Sequence, residues 1–324
     1  MATITKMMLM FGLQLFAELN TQTTETGTLS PEMKVFYSDY LIDNAVPKLV
    51  HDQFGQKHPI PKNGGKTIEF RKYSPLPKLL TPLTEGVTPD GQSLTVTTLE
   101  ATVAQYGGYI TLSDVLLLTA IDNNLVQATK LLGNQAGATL DTITREVLNG
   151  GTNVVYAGGV ASRSAVADVL KVDDIKKAVR ALKTQNAEKI GDSFVAIIHP
   201  DVTYDLTNDP TWQAVKDYDP KDWYEGEIGK IAGVRFVETT EAKIFSGGVY
   251  STLVLADNAY GVTEIEGGGL EHITKQLGSA GTADALNQRA TVGWKATKVA
   301  ERLVEQFMVR IESKSSFSDE VEAN

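Results

Sequence analysis

The chain of 324 residues contains no cysteine, so disulfide bonds and thiolate metal sites are excluded. It also lacks an apolar run of the roughly 20 residues that a membrane-spanning helix requires. Its formal net charge of −10 argues against a protein whose task is to grip phosphate groups. With 42% hydrophobic and 22% charged residues, the composition is that of an ordinary globular protein, and the lack of cysteine fits a reducing compartment.

Sequence patterns of catalysis, metal binding and cofactor binding are missing as well. No two of the four histidines have the spacing of a metal site such as HExxH, and the glycine run 267–269 lacks the Lys-Ser/Thr of a P-loop. The acidic turn 217–222 could bind Ca²⁺, but it lacks EF-hand spacing and is better interpreted as a solvated turn. At the junction of a strand and a helix, we predict that His199 ends the strand and that Asp201 caps the helix. We therefore predict no enzyme, catalytic residue, cofactor or metal.

One segment is unusually rich in proline. Six of the eleven prolines lie between Pro59 and Pro89. Residues 66–73 alternate polar and apolar side chains, and the Thr- and Val-rich residues 94–106 resume strand chemistry after turn signals. The segment is therefore predicted to be a β-hairpin. A two-stranded ribbon is marginally stable alone in water, so a partner subunit is the expected support.

This predicted hairpin begins with a basic stretch on an acidic chain. Between Pro59 and Lys78, five cations and one anion give a local charge of +4. We predict that the five cations contact acidic groups of an adjacent copy of the chain. They are Lys62, Lys66, Arg71, Lys72 and Lys78.

The N-terminal residues leave two interpretations open. Residues 7–19 are apolar and follow a single lysine, which suggests either a signal peptide or a short amphipathic arm that docks on a neighbour. A polar linker follows, and Ser30-Pro31 starts a helix that is predicted to reach about Ala45. Further along, Ser113-Asp114 or Asp122 is predicted to cap a helix of roughly 25 residues that ends at Asn149-Gly150-Gly151.

The second half of the sequence mixes helices and strands. A helix is predicted from Val172 and a short one over 200–207. Strands are predicted over 194–198, 233–238, 251–256 and 260–265. A loop is expected from Gly267 to about Asn287. Strand-like segments then cover 290–312, and an acidic, frayed tail ends the chain. The expected fold class is α+β.

Eight short and mutually different strings carry a resemblance to a known family, although the chain has no internal repeat: 29–33, 61–71, 82–89, 104–107, 148–151, 198–201, 231–236 and 293–296. In their order and spacing they resemble tailed-bacteriophage major capsid proteins of the Johnson fold. The resemblance covers nearly the whole chain, from about Leu29 to Ile311. It implies an N-terminal arm, an extended hairpin called the E-loop, a peripheral domain with a long spine helix, and an axial domain.

The resemblance implies a division of the chain at definite residues. The N-terminal arm and first helix would occupy 1–58, the E-loop 59–110, and the peripheral domain with its spine helix 111–192. The axial domain would lie mainly in 193–288, and residues 289–324 would return to the peripheral domain and end in the acidic tail.

The function implied by the resemblance is structural. The chain would self-assemble into hexamers and pentamers that form an icosahedral head around double-stranded DNA, without specific DNA or membrane binding. Its location would be the virion capsid, assembled in the host cytoplasm with a portal. Because only about 30 residues precede Pro31, a separate scaffolding protein is expected, and no cross-link is predicted. An encapsulin-type compartment shell, or a soluble α/β hydrolase or binding protein, are the alternatives.

Overall fold

The computed structural model describes residues 21–22, 50–74, 76–83, 85–88, 90–120, 124–216, 229–279, 284–319 and 321–324. The chain divides into two compact units. The first unit lies within 1–44, 107–136 and 270–295, and the second within 45–106, 137–269 and 296–324. The predicted helix after Ser30, the apolar residues 7–19 and the acidic turn 217–222 lie outside the described residues.

Strands dominate the described part of the chain. In order they are β1 Thr21–Gln22, β2 Gln56–Lys57, β3 Thr67–Tyr73, β4 Val96–Thr102, β5 Ala104–Ser113, β6 Val154–Tyr156, β7 Phe194–Ile198, β8 Lys230–Ile231, β9 Val234–Glu238, β10 Ile244–Phe245, β11 Val249–Leu255, β12 Tyr260–Thr263, β13 Glu271–Lys275, β14 Arg289–Arg302 and β15 Met308–Ser313.

The α-helices of the described residues are α1 Asp114–Thr119, α2 Asn124–Asn149, α3 Val172–Thr184, α4 Pro200–Thr207 and α5 Pro210–Lys216. Helix α2 has 26 residues and ends where Asn149-Gly150-Gly151 predicted, which confirms the long helix. Ser113 caps the separate helix α1, where its hydroxyl oxygen accepts a hydrogen bond from the Leu116 N–H at 3.2 Å. Asp122, the other predicted cap, lies outside the described residues.

A seven-stranded sheet forms the centre of the second unit. Its strand order is β6-β15-β11-β7-β9-β8, and β10 pairs with β11. Strands β7 and β11 are buried along their whole length; β7 is apolar throughout, and β11 has Ser251 and Thr252 among its apolar residues. Helix α3 presents every third or fourth residue to this sheet, among them Ile175, Val179 and Leu182, and so closes the main core.

The remaining strands pair within each unit as follows. In the first unit, β1 pairs in parallel with β5, and β13 pairs antiparallel with β14 from Glu271↔Lys295 to Lys275↔Thr291. In the second unit, β12 pairs antiparallel with β14 and in parallel with β2.

Two sequence predictions are wrong in this part of the chain. The predicted loop after Gly267 contains β13, whose mostly exposed residues show no apolar alternation and which is formed by pairing with β14. The C-terminal tail, which was predicted to be frayed, contacts the rest of the second unit through Val321 and Asn324. Asn324 accepts from the Ile244 N–H at 2.9 Å through its side-chain oxygen, and Val321 packs against the main core.

Candidate assembly surface

The proline-rich segment forms the predicted hairpin. Strands β3 and β4 pair antiparallel without a break from Thr67↔Thr102 to Tyr73↔Val96. The lead-in turn is closed by a hydrogen bond from the Gly64 N–H to the Pro61 carbonyl at 2.9 Å, with Asn63 at a φ of 68°. Asparagine tolerates this left-handed conformation better than most residues, so the turn suits its sequence.

The root of the hairpin is fastened to the second unit. The N–H of Ile60 donates to the Glu264 carbonyl at 2.8 Å, and the N–H of Glu266 donates to the Ile60 carbonyl at 2.8 Å. These bonds continue the parallel pairing of β2 with β12. Phe70 lies against Gly261, where an added Cβ would be 3.5 Å from the phenyl ring. The ribbon is thus fixed at its base.

The predicted cations are all exposed, but they do not share one surface. Because side chains alternate along a strand, Arg71 and Lys72 point to opposite faces of the ribbon. On the face of Arg71, Glu69 lies directly opposite Glu100, and Arg71 Nε lies 3.1 Å from Glu69 Oε1. The hydrogen bond to Glu69 raises the pKa of the Arg71 guanidinium. That face therefore carries two carboxylates for one cation.

From the last strand pair, Tyr73↔Val96, outward, the hairpin exposes a series of large apolar side chains that the sequence analysis missed. Eight large apolar side chains between residues 73 and 96 are exposed, and Leu80 is the most exposed at 86%. Monomeric proteins rarely expose large contiguous apolar patches, so these side chains are candidates for an interaction surface. We call it the apolar hairpin stretch: Tyr73, Leu76, Leu79, Leu80, Leu83, Val87, Leu94 and Val96.

The first unit carries a second set of exposed apolar side chains. Its described residues include eight, and Leu118 of helix α1 is exposed at 83%. In the remainder of the described chain, Tyr204 is the one further exposed large apolar side chain. We call the eight the first-unit apolar set: Tyr109, Val115, Leu118, Val126, Leu131, Leu270, Leu277 and Leu286.

The residues around His199 correct one sequence prediction. The N-cap of α4 is His199, whose Nδ1 accepts a hydrogen bond from the Asp201 N–H at 3.2 Å. Asp201 does not cap the helix, and its carboxylate accepts from the Tyr250 hydroxyl at 2.6 Å. Burial lowers the pKa of His199, although the charges of Asp201 and Glu238 act in the opposite direction. The partly buried histidine thus caps the helix in its neutral form.

This arrangement predicts a pH dependence of subunit stability. Because the pKa of His199 is lower in the folded state than its ordinary value of 6.5, the unfolded chain binds more protons between those two pKa values. The contribution of His199 to the free energy of unfolding should have its full value above about pH 6.5. It should decrease as the pH falls toward the pKa of His199 in the folded state. Urea unfolding between pH 5 and 7.5 measures this slope.

The variant His199→Asn should keep the cap and reduce that slope, because an asparagine side chain caps helices and does not titrate. His272→Asn, at an exposed position, is the matched control. An unchanged slope in His199→Asn would contradict the assignment.

Among the described residues, no three His, Asp or Glu side chains are grouped so that they could hold a metal ion. Within the same ranges, no helix is both long and apolar enough to cross a membrane.

Comparisons with solved structures give the fold. The capsid structure of cyanophage P-SCSP1u is similar at a TM-score of 0.68 and 14% identity, covering 94% of this chain and 100% of that one. The capsid asymmetric unit of cyanophage Pam1 matches at a TM-score of 0.67 and 12% identity, covering 91% of this chain and 100% of that one. The capsid of Ralstonia phage GP4 matches at a TM-score of 0.64 and 13% identity, covering 91% of this chain and 99% of that one.

Comparison at the sequence level gives the family. No curated protein matches the chain. The family model described as phage capsid protein matches residues 96–306, which is more than half of the sequence. The predicted α+β capsid fold is confirmed by the solved structures, and the predicted family by this match. The chain belongs to the phage capsid protein family.

Proposed function

We propose that the hairpin is the arm by which this major capsid protein, a subunit of the phage head, holds a neighbouring copy. The observation that carries the proposal is the apolar hairpin stretch, eight large side chains that the subunit leaves exposed on an arm fixed at its root. Apolar surface of this extent is stabilised only when another surface covers it. A second copy is a partner that is always present in a shell.

The first-unit apolar set of a neighbouring copy is the surface that we propose the arm covers. Both sets are apolar, both are exposed, and together they include all but one of the exposed large apolar side chains in the described chain. A contact between two different patches is heterologous, and such contacts form closed rings when the rotation from one copy to the next closes. Rings of six and of five subunits are the form that we propose for the assembled protein.

The whole function that we propose is a closed icosahedral head around double-stranded DNA. Many individually weak contacts add up over such a lattice. The net charge of −10 suits a wall that confines DNA without specific binding. The role is structural and not enzymatic. Residues 59–110 act as the E-loop and α2 as the spine helix within the five-part division. Assembly takes place in the host cytoplasm, with a portal and a separate scaffolding protein.

Size-exclusion chromatography and electron microscopy of the purified chain test this function. Closed particles or capsomer rings are the expected result, and a monodisperse monomer under all assembly conditions would overturn it. Particles filled with DNA favour the head, and particles filled with a protein cargo favour an encapsulin-type compartment. The family match and the solved structures are of phage capsids, which already favours the head.

Charge reversal in the ribbon tests the role of its cations. The triple variant of Lys66, Arg71 and Lys72 to glutamate should impair assembly and leave the subunit soluble. Single variants separate the two faces. Lys72→Glu removes a cation that forms no ion pair in the described chain, so only assembly should suffer. Arg71→Glu places a third carboxylate beside Glu69 and Glu100, so the ribbon itself should also weaken.

Particle counts by electron microscopy and unfolding curves of the free subunit measure these effects. Normal particles from the triple variant would contradict the predicted contacts with acidic groups of a neighbour.

A further inference from the structure

A short turn, residues 50–54, precedes the hairpin, and its first two residues are buried. Val50 and His51 are both 0% exposed. The Tyr260 hydroxyl donates a hydrogen bond to the His51 carbonyl. Directly after the turn, a Cβ at Gly55 would lie only 2.5 Å from the Tyr260 ring. The turn therefore cannot shift without displacing its neighbours.

Two carboxylates fasten this turn to the rest of the second unit. Asp141 of helix α2 accepts a hydrogen bond from the His51 backbone N–H at 2.8 Å, and its other oxygen lies 2.7 Å from the ring Nδ1. Asp52 accepts from the Thr144 hydroxyl at 2.5 Å and from the Lys298 ammonium. We call these groups the root clamp: His51, Asp52, Asp141 and Lys298.

The root clamp holds the turn with charged and polar groups, whose burial carries a desolvation penalty. The Lys298 ammonium pairs with Asp52 and also donates to the Leu140 carbonyl at 2.7 Å, whereas the Asp141 carboxylate contacts His51. In the described part of the chain, the buried Nε2 of His51 has no hydrogen-bond partner. Apolar side chains of similar volume would often hold a buried site with equal or greater stability, whereas a polar cluster accepts only one geometry. The clamp therefore specifies orientation more than it adds stability.

We infer that the root clamp is a positioning device, which fixes the direction in which the hairpin leaves the subunit and hence the part of a neighbouring copy that it reaches. The backbone bonds from Gln56 to Ile60 transmit the orientation of the turn to the ribbon. The seven paired residues of each strand span about 20 Å. A small tilt at the root therefore displaces the far end of the ribbon much further than it displaces the root itself. The consequence for assembly rests on the proposed function; the clamp itself does not.

Hydrogen exchange of the full-length subunit, followed by mass spectrometry, tests the inference. In Asp141→Asn, the amides of residues 51–60 should exchange about tenfold faster or more, while strands β7 and β11 keep their protection. Asp52→Asn is a milder second variant, because its side chain is 38% exposed, and it decides the test if Asp141→Asn does not fold. Asp173→Asn, the same substitution at an exposed carboxylate, should change neither region.

Assembly provides a separate readout. The clamp variants should give fewer or irregular particles at unchanged stability of the core strands. Unchanged exchange of residues 51–60 in the folded variants would overturn the inference, and so would equal acceleration throughout the core, since that indicates a structural role only. If the wild-type chain forms no particles but the clamp variants exchange faster at residues 51–60, the proposed function is wrong and the positioning role of the clamp is supported.

Discussion

Replacing Leu79, Leu80 and Leu83 with serine is expected to abolish particle formation and to leave the subunit folded. The three side chains are 77%, 86% and 75% exposed, so they contribute almost nothing to the core of the free subunit. Buried on a neighbour, each would contribute about 1.5–3 kcal/mol, and the triple variant would lose roughly 5–9 kcal/mol at every contact. In a lattice where each copy makes the same contact, such a loss removes assembly altogether.

Sedimentation velocity and electron microscopy would measure this loss, and thermal unfolding of the free subunit would show whether the fold is intact. Tyr204→Ser is the matched control, because Tyr204 is exposed at 55% and belongs to neither apolar set. Normal particles from the triple variant would refute the proposed role of the apolar hairpin stretch.

The second large effect is expected inside the subunit, at Glu312. This carboxylate is 0% exposed and forms two hydrogen bonds with Arg163, at 2.7 and 2.8 Å, and one with Arg310 at 2.8 Å. Arg310 is itself 8% exposed and also donates to the Asn149 carbonyl at the end of α2. Glu312→Gln would leave the Arg310 guanidinium buried without an anion. We expect the free energy of unfolding to fall by about 3 kcal/mol, the usual cost of breaking a buried ion pair.

Urea unfolding of the free subunit measures the change. The same substitution at Glu271, whose exposed carboxylate lies 3.0 Å from Lys295 Nζ, should cost only about 0.5 kcal/mol because solvent screens exposed pairs. Equal effects at Glu312 and Glu271 would show that the buried cluster has no special contribution.

Elements with a strong local signal could be predicted from the sequence. The hairpin, helix α2 and the buried strands β7 and β11 each have a periodicity or an apolar run that matches their structure. Strand β13 could not be predicted, because its residues are mostly exposed and it is formed by pairing with β14. The attachment of Asn324 likewise depends on contacts far away in the sequence.

In the candidate assembly surface too, the features that could not be predicted depend on contacts between residues that are distant in the sequence. The sequence shows five cations close together, but the alternation of β3 places Arg71 and Lys72 on opposite faces. Glu100, which lies opposite Glu69, belongs to strand β4 and is distant in the sequence. The apolar hairpin stretch had a visible signal, since leucines recur between the prolines of residues 75–89. Exposure is a property of the folded chain, so this signal could be interpreted only once the structure placed those leucines outside the core.

The prolines of the hairpin have a protective consequence for the free subunit. An arm that carries eight exposed apolar side chains is prone to aggregation, since exposed apolar segments can pair with one another through their backbone edges. Pro77 and Pro82 lie among those side chains and have no N–H to donate to a foreign strand. The same residues that prevent the arm from forming a regular ribbon therefore keep unassembled copies from joining through backbone pairing, and leave side-chain contact as the permitted route of association.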